Sequence, residues 1–273
     1  MSTLRFIAVA MVFAAVSVGW LVLGGVTFER TRTLDRSLSG KMRNMWGPKV
    51  LAQGAPYWTD NAAADRSDAG TVVPVASVVT ADFEHESRYK GLLWYSTFTV
   101  DFSGRYTVPP ADGPGAKGFF RFDVPAGSTP MDLAVTVDGV AVELPYAQRV
   151  SGRLVVPLAR DAASVVSVAF KTKGQLYWLY YPGDAALTGD SDRNGDEDQA
   201  PTISNASGAT GELRDFTLTV TTDFKDINYP DGSRSPTKMA VDTDAGKAAT
   251  WRFDSIRSRN GLWFGFLAVV SWV

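Results

Sequence analysis

Apolar and polar side chains alternate through the middle of the chain, from about residue 50 to residue 260. Phe98, Val100 and Phe102 alternate with polar neighbours, and the same period of two recurs at 120–124, 133–137 and 216–220. A β-strand with one buried and one solvated face has this period. No helical pattern separates these strands. The pattern therefore predicts an antiparallel β-sandwich, as two layers or as tandem sandwiches, rather than parallel βαβ units.

Turn signals punctuate these predicted strands. Asp138-Gly139 stands between Val137 and Val140, and a two-residue Asp-Gly loop is a strong hairpin signal. Residues 183–211 form one long polar interruption, rich in Gly, Ala, Ser and Asp, which predicts an exposed loop.

The N-terminal residues follow another pattern. Residues 6–28 carry no charge, and as a helix they extend about 34 Å, enough to cross a hydrocarbon core of about 30 Å. A cleaved secretory signal is the alternative, but the segment is long and lacks an A-x-A cleavage pattern. We expect a transmembrane anchor over 1–28. A juxtamembrane helix over 29–46 should follow, because Leu34, Leu38, Met42 and Met45 recur at helical spacing before Gly47-Pro48 ends it.

The last thirteen residues, 261–273, are also uncharged and follow Arg257 and Arg259. Thirteen residues are too few to cross a bilayer as a helix, which needs about 20. We expect the start of a truncated transmembrane helix here. A buried strand that includes Phe264 and Phe266 is the alternative. The domain boundaries predicted from sequence are thus 1–28, 29–46, 47–260 and 261–273.

Composition narrows the function classes. The 273 residues include 27 basic and 29 acidic side chains, for a net charge of -2. This balance argues against a nucleic-acid partner. The chain has no cysteine, which excludes disulfides, a thiol nucleophile and cysteine zinc sites. Lipid is the partner that the N-terminal segment predicts.

An acidic motif lies within the polar interruption. It resembles the first half of an EF-hand-type calcium loop, with oxygen ligands at alternate positions and Gly195 for the sharp turn. Pro201 stands where a bidentate carboxylate belongs, and no helical pattern flanks the motif. A solvated acidic loop is the alternative to a calcium site. The candidate calcium ligands are Asp190, Asp192, Asn194, Asp196 and Asp198.

Catalytic signals are sparse, and we expect no enzymatic activity and no catalytic residues. His85, the single histidine, lies between Glu84 and Glu86, and we expect a surface histidine. Nucleotide-binding motifs and G-x-S-x-G are absent. Paired carboxylates for glycoside hydrolysis stay open, because sequence spacing does not report their separation in space. The aromatic run 177–181 suits core packing, a sugar ligand or the lipid headgroup level.

Several segments resemble one membrane-protein family. They are Glu29-Arg30 after the span, Trp46-Gly47-Pro48-Lys49-Val50-Leu51 running to Ala55-Pro56, Arg88–Tyr95 with Phe102–Tyr106, and Asp223–Pro230 with Trp251-Arg252-Phe253. Together they resemble the CreD family of inner-membrane cell-envelope integrity proteins. The resemblance implies an N-terminal anchor, a periplasmic β-rich domain and a C-terminal block of membrane helices. It implies no catalytic residues.

The resemblance also decides the orientation of the predicted domain. The basic residues after the span, read by the positive-inside rule, favour a cytoplasmic domain, but that rule weakens for long translocated domains. We follow the resemblance and expect an extracytoplasmic domain on the bacterial inner membrane, with a non-enzymatic role in envelope integrity and an envelope protein or polysaccharide as partner. The alternatives are an anchored hydrolase of envelope polysaccharide and a ligand-sensing ectodomain with a pocket lined by Tyr177, Trp178 and Tyr181.

Overall fold

The computed structural model describes most of the chain as one long helix followed by a β-rich domain. The described residues are 3–60, 73–90, 93–110, 117–159, 161–181, 185–188, 202–205, 211–225, 227–229, 233–243, 246–258 and 264–268. Residues 1–45 and 46–273 form two compact units, and the second contains all the strands that the structure describes.

Helix α1 runs without a break from Thr3 to Trp46. We expected an anchor over 1–28 and a juxtamembrane helix over 29–46, and the structure has both as parts of one continuous helix; the predicted end before Gly47-Pro48 is confirmed. Gly24 and Gly25 each cost a helix only about 1 kcal/mol, which a long apolar helix tolerates, whereas proline cannot continue it. Within α1, the segment Arg5–Arg30 is long and apolar enough to cross a membrane, and a signal sequence near an N-terminus has the same properties.

In the described part of the domain, the large sheet has eight strands. Their spatial order is β15 (Lys238–Asp242), β16 (Lys247–Ser258), β13 (Gly211–Thr222), β3 (Ala76–Lys90), β4 (Leu93–Val108), β9 (Ser164–Gly174), β6 (Met131–Val137) and β7 (Val140–Ala141). The burial of the predicted strands confirms the period of two, because Phe98, Val100, Phe102, Phe216 and Leu218 are all buried.

Two smaller sheets face the large one. The first contains, in order, β1 (Val50–Gly54), β10 (Tyr177–Tyr181), β17 (Phe264–Ala268) and β14 (Ile227–Asn228). The second contains β2 (Tyr57–Thr59), β5 (Lys117–Asp123) and β8 (Arg153–Ala159). The remaining described elements are the short helix α2 (Tyr146–Ser151) and a ribbon of β11 (Ala185–Thr188) and β12 (Thr202–Asn205).

Aromatic rings join the layers into a β-sandwich. The Trp178 ring from the first small sheet meets Phe83 of the large sheet at 5.4 Å between centroids. On the other side, Phe122 from the second small sheet lies 5.9 Å from Phe102. These rings belong to one continuous cluster of buried residues. The alternative of two layers is therefore the one observed, with the second layer divided between two sheets.

Strand directions are mostly antiparallel, as predicted. Among the described strands, β1 pairs parallel to β10 and β3 pairs parallel to β13. These parallel pairs are not βαβ units, because the chain between the two paired strands forms strands of the other sheets. The predicted hairpin at Asp138-Gly139 is confirmed, with Val137 paired to Val140 and positive φ angles of 50° and 81° at the two turn residues.

The predicted start of a membrane helix at 261–273 is wrong for the residues that the structure describes there. Phe264–Ala268 forms strand β17, between β10 and β14. Phe264 is fully buried, and its ring stacks on Phe216 at 5.1 Å. An uncharged apolar run suits a core strand as well as a membrane span, because periodicity alone does not separate the two.

Candidate binding cleft

A cleft of about 390 Å³ opens at one edge of the sandwich. It lies where the turn of the β6–β7 hairpin approaches the end of β8 and the start of β9. The two layers do not meet closely here, since both bordering strands are edge strands: β7 ends the large sheet and β8 ends the second small sheet. The cleft therefore extends the core toward solvent.

The walls of the cleft are mainly apolar. Val156 and Leu158 are buried, and Val137 and Val142 are half-buried. The alternation of β8 explains the two buried residues, because positions 154, 156 and 158 face the core. The remaining lining residues are Asp138, Pro157, Ala159, Asp161, Ala162, Ala163 and Ser164.

A carboxylate is fixed at the rim by the hairpin turn. The Asp138 backbone N–H donates to the Val165 carbonyl at 2.8 Å, and the Val165 N–H donates to Asp138 Oδ1 at 2.8 Å. Asp138 is exposed, and Asp161 is a second exposed carboxylate on the same rim. Arg160, the residue before Asp161, lies outside the described residues. The described lining of the cleft contains no basic side chain.

The edge of β8 beside the cleft is closed to strand pairing. The Gln148 side chain from α2 takes the place of a neighbouring strand, since it accepts the Val155 N–H and donates to the Val155 carbonyl. The Arg153 N–H donates to Ser151 Oγ at 3.3 Å, and Pro157 has no N–H to offer. Native sheets protect edges from aggregation by such devices. The cleft is thus bordered by an edge that does not recruit a further strand.

His85, expected at the surface, is half-buried on the side of β3 that faces the core. Its Nε2 lies 3.2 Å from Ser96 Oγ, and its ring packs edge-on against Phe224. Partial burial lowers the pKa of His85, and the charge of Asp223 opposes this effect. Ser96 and His85 have the spacing of a nucleophile and its base. Neither residue lines the cleft.

The aromatic run 177–181 forms strand β10, inside the domain. Tyr177, Trp178, Leu179 and Tyr180 are all buried. Because the faces of a strand alternate, Trp178 and Tyr180 pack toward the large sheet, while Tyr177 and Leu179 belong to a second small cluster with Val50 and Ala52. The run therefore contributes to packing, as one of its alternatives predicted.

The candidate calcium ligands Asp190, Asp192, Asn194, Asp196 and Asp198 lie outside the described residues. In the part of the chain that the structure describes, no three His, Cys, Asp or Glu side chains gather at metal-binding distance. The calcium site stays a prediction from sequence.

The cleft was not predicted from the sequence. Two sequence features pointed to parts of the cleft. The Asp-Gly hairpin predicted that Asp138 lies in a turn, and a proline inside the apolar run 154–158 is typical of an edge strand. The cleft forms because the edge strands β7 and β8 approach each other, and this approach depends on how the two sheets stack, which a local sequence pattern does not determine.

No known family model matches the chain, and no characterised protein matches it by sequence. A crystal structure from Legionella pneumophila, described as that of a proposed nutrient-binding protein, aligns with a TM-score of 0.29 and 8% identity. The alignment covers 79% of this chain and 70% of that one. A TM-score this low carries no argument about fold or function.

Proposed function

We propose that the chain is a membrane-anchored envelope protein whose β-sandwich lies on the extracytoplasmic side of the bacterial inner membrane. In this proposal it has a non-enzymatic, CreD-like role in cell-envelope integrity. Its sandwich acts as a binding module for an envelope protein or polysaccharide, and α1 contacts lipid.

The observation that carries the proposal is the apolar part of α1. In the membrane-length segment Arg5–Arg30, no residue of the most apolar window is buried within the protein, although most of these residues are apolar. A helix that is hydrophobic all round needs an apolar environment, and lipid supplies one. The extracytoplasmic side and the envelope role rest on the resemblance to the CreD family.

Reporter fusions test the location. Alkaline phosphatase fused after residue 60 should be active, because the enzyme needs export, and a fluorescent protein that folds only in the cytoplasm should stay dark at the same position. The full-length fusion should remain in membranes after alkaline carbonate washing. A dark phosphatase with a bright fluorescent fusion would contradict the proposed side, and release of a shortened chain would indicate a cleaved signal instead of an anchor.

The envelope role needs a cellular measurement. Cells that lack the protein should become sensitive to detergent, and the full chain should restore resistance. A variant in which a cleavable signal replaces residues 1–30 exports the same domain without a membrane attachment. Its detergent resistance shows whether the role requires anchoring. Full resistance without the protein would contradict the envelope role.

An anchored polysaccharide hydrolase is the second candidate, and one observation favours it. Asp138 and Asp161 both line the cleft, and glycoside hydrolysis uses two carboxyl groups. Release of reducing ends from cell-wall polysaccharide by the purified full chain, lost in both Asp138→Asn and Asp161→Asn, would support it. Activity that neither substitution reduces would exclude these two residues.

A further inference from the structure

A serine and a histidine meet on one face of strands β3 and β4. His85 Nε2 lies 3.2 Å from Ser96 Oγ. The two strands pair antiparallel with His85 opposite Phe98, so Ser96 is the diagonal neighbour of His85 on the same face. His85 is the single histidine of the chain, and among the described serines only Ser96 forms a hydrogen bond with its ring. The contact therefore distinguishes Ser96 from the other described serines.

Asp223 holds the histidine in place. Strand β13 ends at Thr222, opposite Phe83 in β3. Beyond that point the Asp223 N–H donates to the Phe83 carbonyl at 3.2 Å, and the His85 N–H donates to Asp223 Oδ1 at 2.8 Å. The carboxylate thus continues the hydrogen bonding of the strand, and its charge raises the pKa of His85 against the larger effect of burial. A positive charge that forms on the imidazole during a reaction is therefore stabilised.

Small molecules can reach this contact. Among the described strands, β13 accompanies β3 as far as Phe83 and β9 accompanies β4 as far as Phe98, so His85 and Ser96 lie beyond the ends of both neighbours. Both side chains are half-buried. A serine beside a neutral imidazole has the parts of an activated nucleophile, because Nε2 can take the hydroxyl proton. Since neither residue lines the cleft, a small reagent suits this position better than a large substrate.

We propose that Ser96 is a nucleophilic serine that accepts the acyl group of small activated esters, with His85 as its base. Ser96 Oγ forms a bond to the acyl carbon while its proton passes to His85 Nε2, and the bond from the acyl carbon to the alcohol oxygen breaks. The leaving oxygen takes the proton from His85, so the products are the free alcohol and an acyl ester of Ser96. This is a site of covalent modification that needs no turnover, and it goes beyond the envelope role without depending on it.

Acetylation by p-nitrophenyl acetate tests the proposal on the purified full chain in lipid nanodiscs at about pH 7.5, where the imidazole is neutral. Peptide mass spectrometry locates the acetyl group. Hydroxylamine distinguishes serine esters, which it removes, from lysine amides, which it leaves. Ser96 should be acetylated. Ser103 is the control within the same chain, because it is exposed on the same strand and faces the other side of the sheet.

Three substitutions separate the base from its surroundings. His85→Gln keeps a hydrogen-bonding side chain beside Ser96 but removes the base, and it should slow acetylation of Ser96 by about 100-fold, the lower end for a positioned general base. Asp223→Asn keeps an oxygen for the His85 N–H but removes an exposed charge, and it should slow acetylation by about two- to fivefold. Ser96→Ala should lose only the ester at this position. Near-ultraviolet circular dichroism shows whether each variant keeps the native fold.

The wild-type chain alone is sufficient to overturn the proposal. An ester on Ser96 that forms about tenfold faster than on Ser103, and more slowly in His85→Gln, supports it. Equal rates at the two serines, or no ester at Ser96, would overturn the activation of Ser96. An unchanged rate in His85→Gln would overturn the role of His85. None of these results bears on the reporter fusions, which test the location of the domain.

Discussion

The side chain of Gln148 forms hydrogen bonds with both backbone polar groups of Val155. The Val155 N–H donates to Oε1 at 3.0 Å, and Nε2 donates to the Val155 carbonyl at 3.4 Å. One side-chain amide thus imitates the backbone of a neighbouring strand. Helix α2 has no buried residue, so this contact gives it a structural role at the edge of the sandwich.

Replacing Gln148 with alanine should therefore expose the edge of β8. Loss of the contact should lower the free energy of unfolding by about 1 kcal/mol, because Val155 then loses partners for both backbone groups. The open edge should also raise self-association, measured by sedimentation. Arg149→Ala, an exposed neighbour in the same helix, is the control. Equal stability of the two variants would show that α2 contributes nothing to this edge.

A glycine in β5 leaves room for an indole ring. A Cβ at Gly118 would overlap the ring of Trp58, which belongs to the paired strand β2. Gly118→Ala should cost about 1–3 kcal/mol in the free energy of unfolding, as overpacking does. In a Trp58→Leu background the same substitution should cost much less. Chemical denaturation of the four proteins gives the coupling energy, and additive costs would contradict the overlap.

Strand β17 should be part of the folded core. Phe264 is fully buried against Phe216 and Trp251, and its truncation to alanine should cost about 3–5 kcal/mol. Val241→Ala, in the exposed edge strand β15, should change stability little. Deletion of residues 261–273 should also destabilise the domain. A deletion variant as stable as the full chain would return these residues to the predicted membrane span.

Protonation of His85 should destabilise the domain. Burial lowers its pKa in the fold, so the unfolded chain binds the proton more readily. The contribution of the neutral imidazole is present above the unfolded pKa of about 6.5 and is lost as the pH falls below it. Between pH 7.5 and pH 5, we expect the free energy of unfolding of the wild type to fall relative to that of His85→Gln. A constant difference over this range would contradict the pKa direction.

The sequence predicted those parts of the fold that local periodicity determines. Alternation identified the strands around Phe102 and Phe216, and the Asp138-Gly139 turn was predicted with its hairpin. The run 261–273, which contains Phe264, was misassigned because an uncharged apolar run looks alike in a core strand and in a membrane span. The Ser96–His85 contact and the cleft escaped prediction for another reason: both depend on which strands pair or stack, and that is decided by contacts far apart in sequence.

The side of the membrane on which the sandwich lies can be measured directly, because the chain has no native cysteine. Val140→Cys places a thiol on the exposed β6–β7 hairpin, and Thr3→Cys places one before the apolar segment. In intact bacterial cells, a membrane-impermeant maleimide should label the full-length Val140→Cys chain in the membrane fraction, and should label Thr3→Cys only after permeabilisation. The opposite result, with Thr3→Cys labelled and Val140→Cys protected until the cells are opened, would contradict an anchored extracytoplasmic domain.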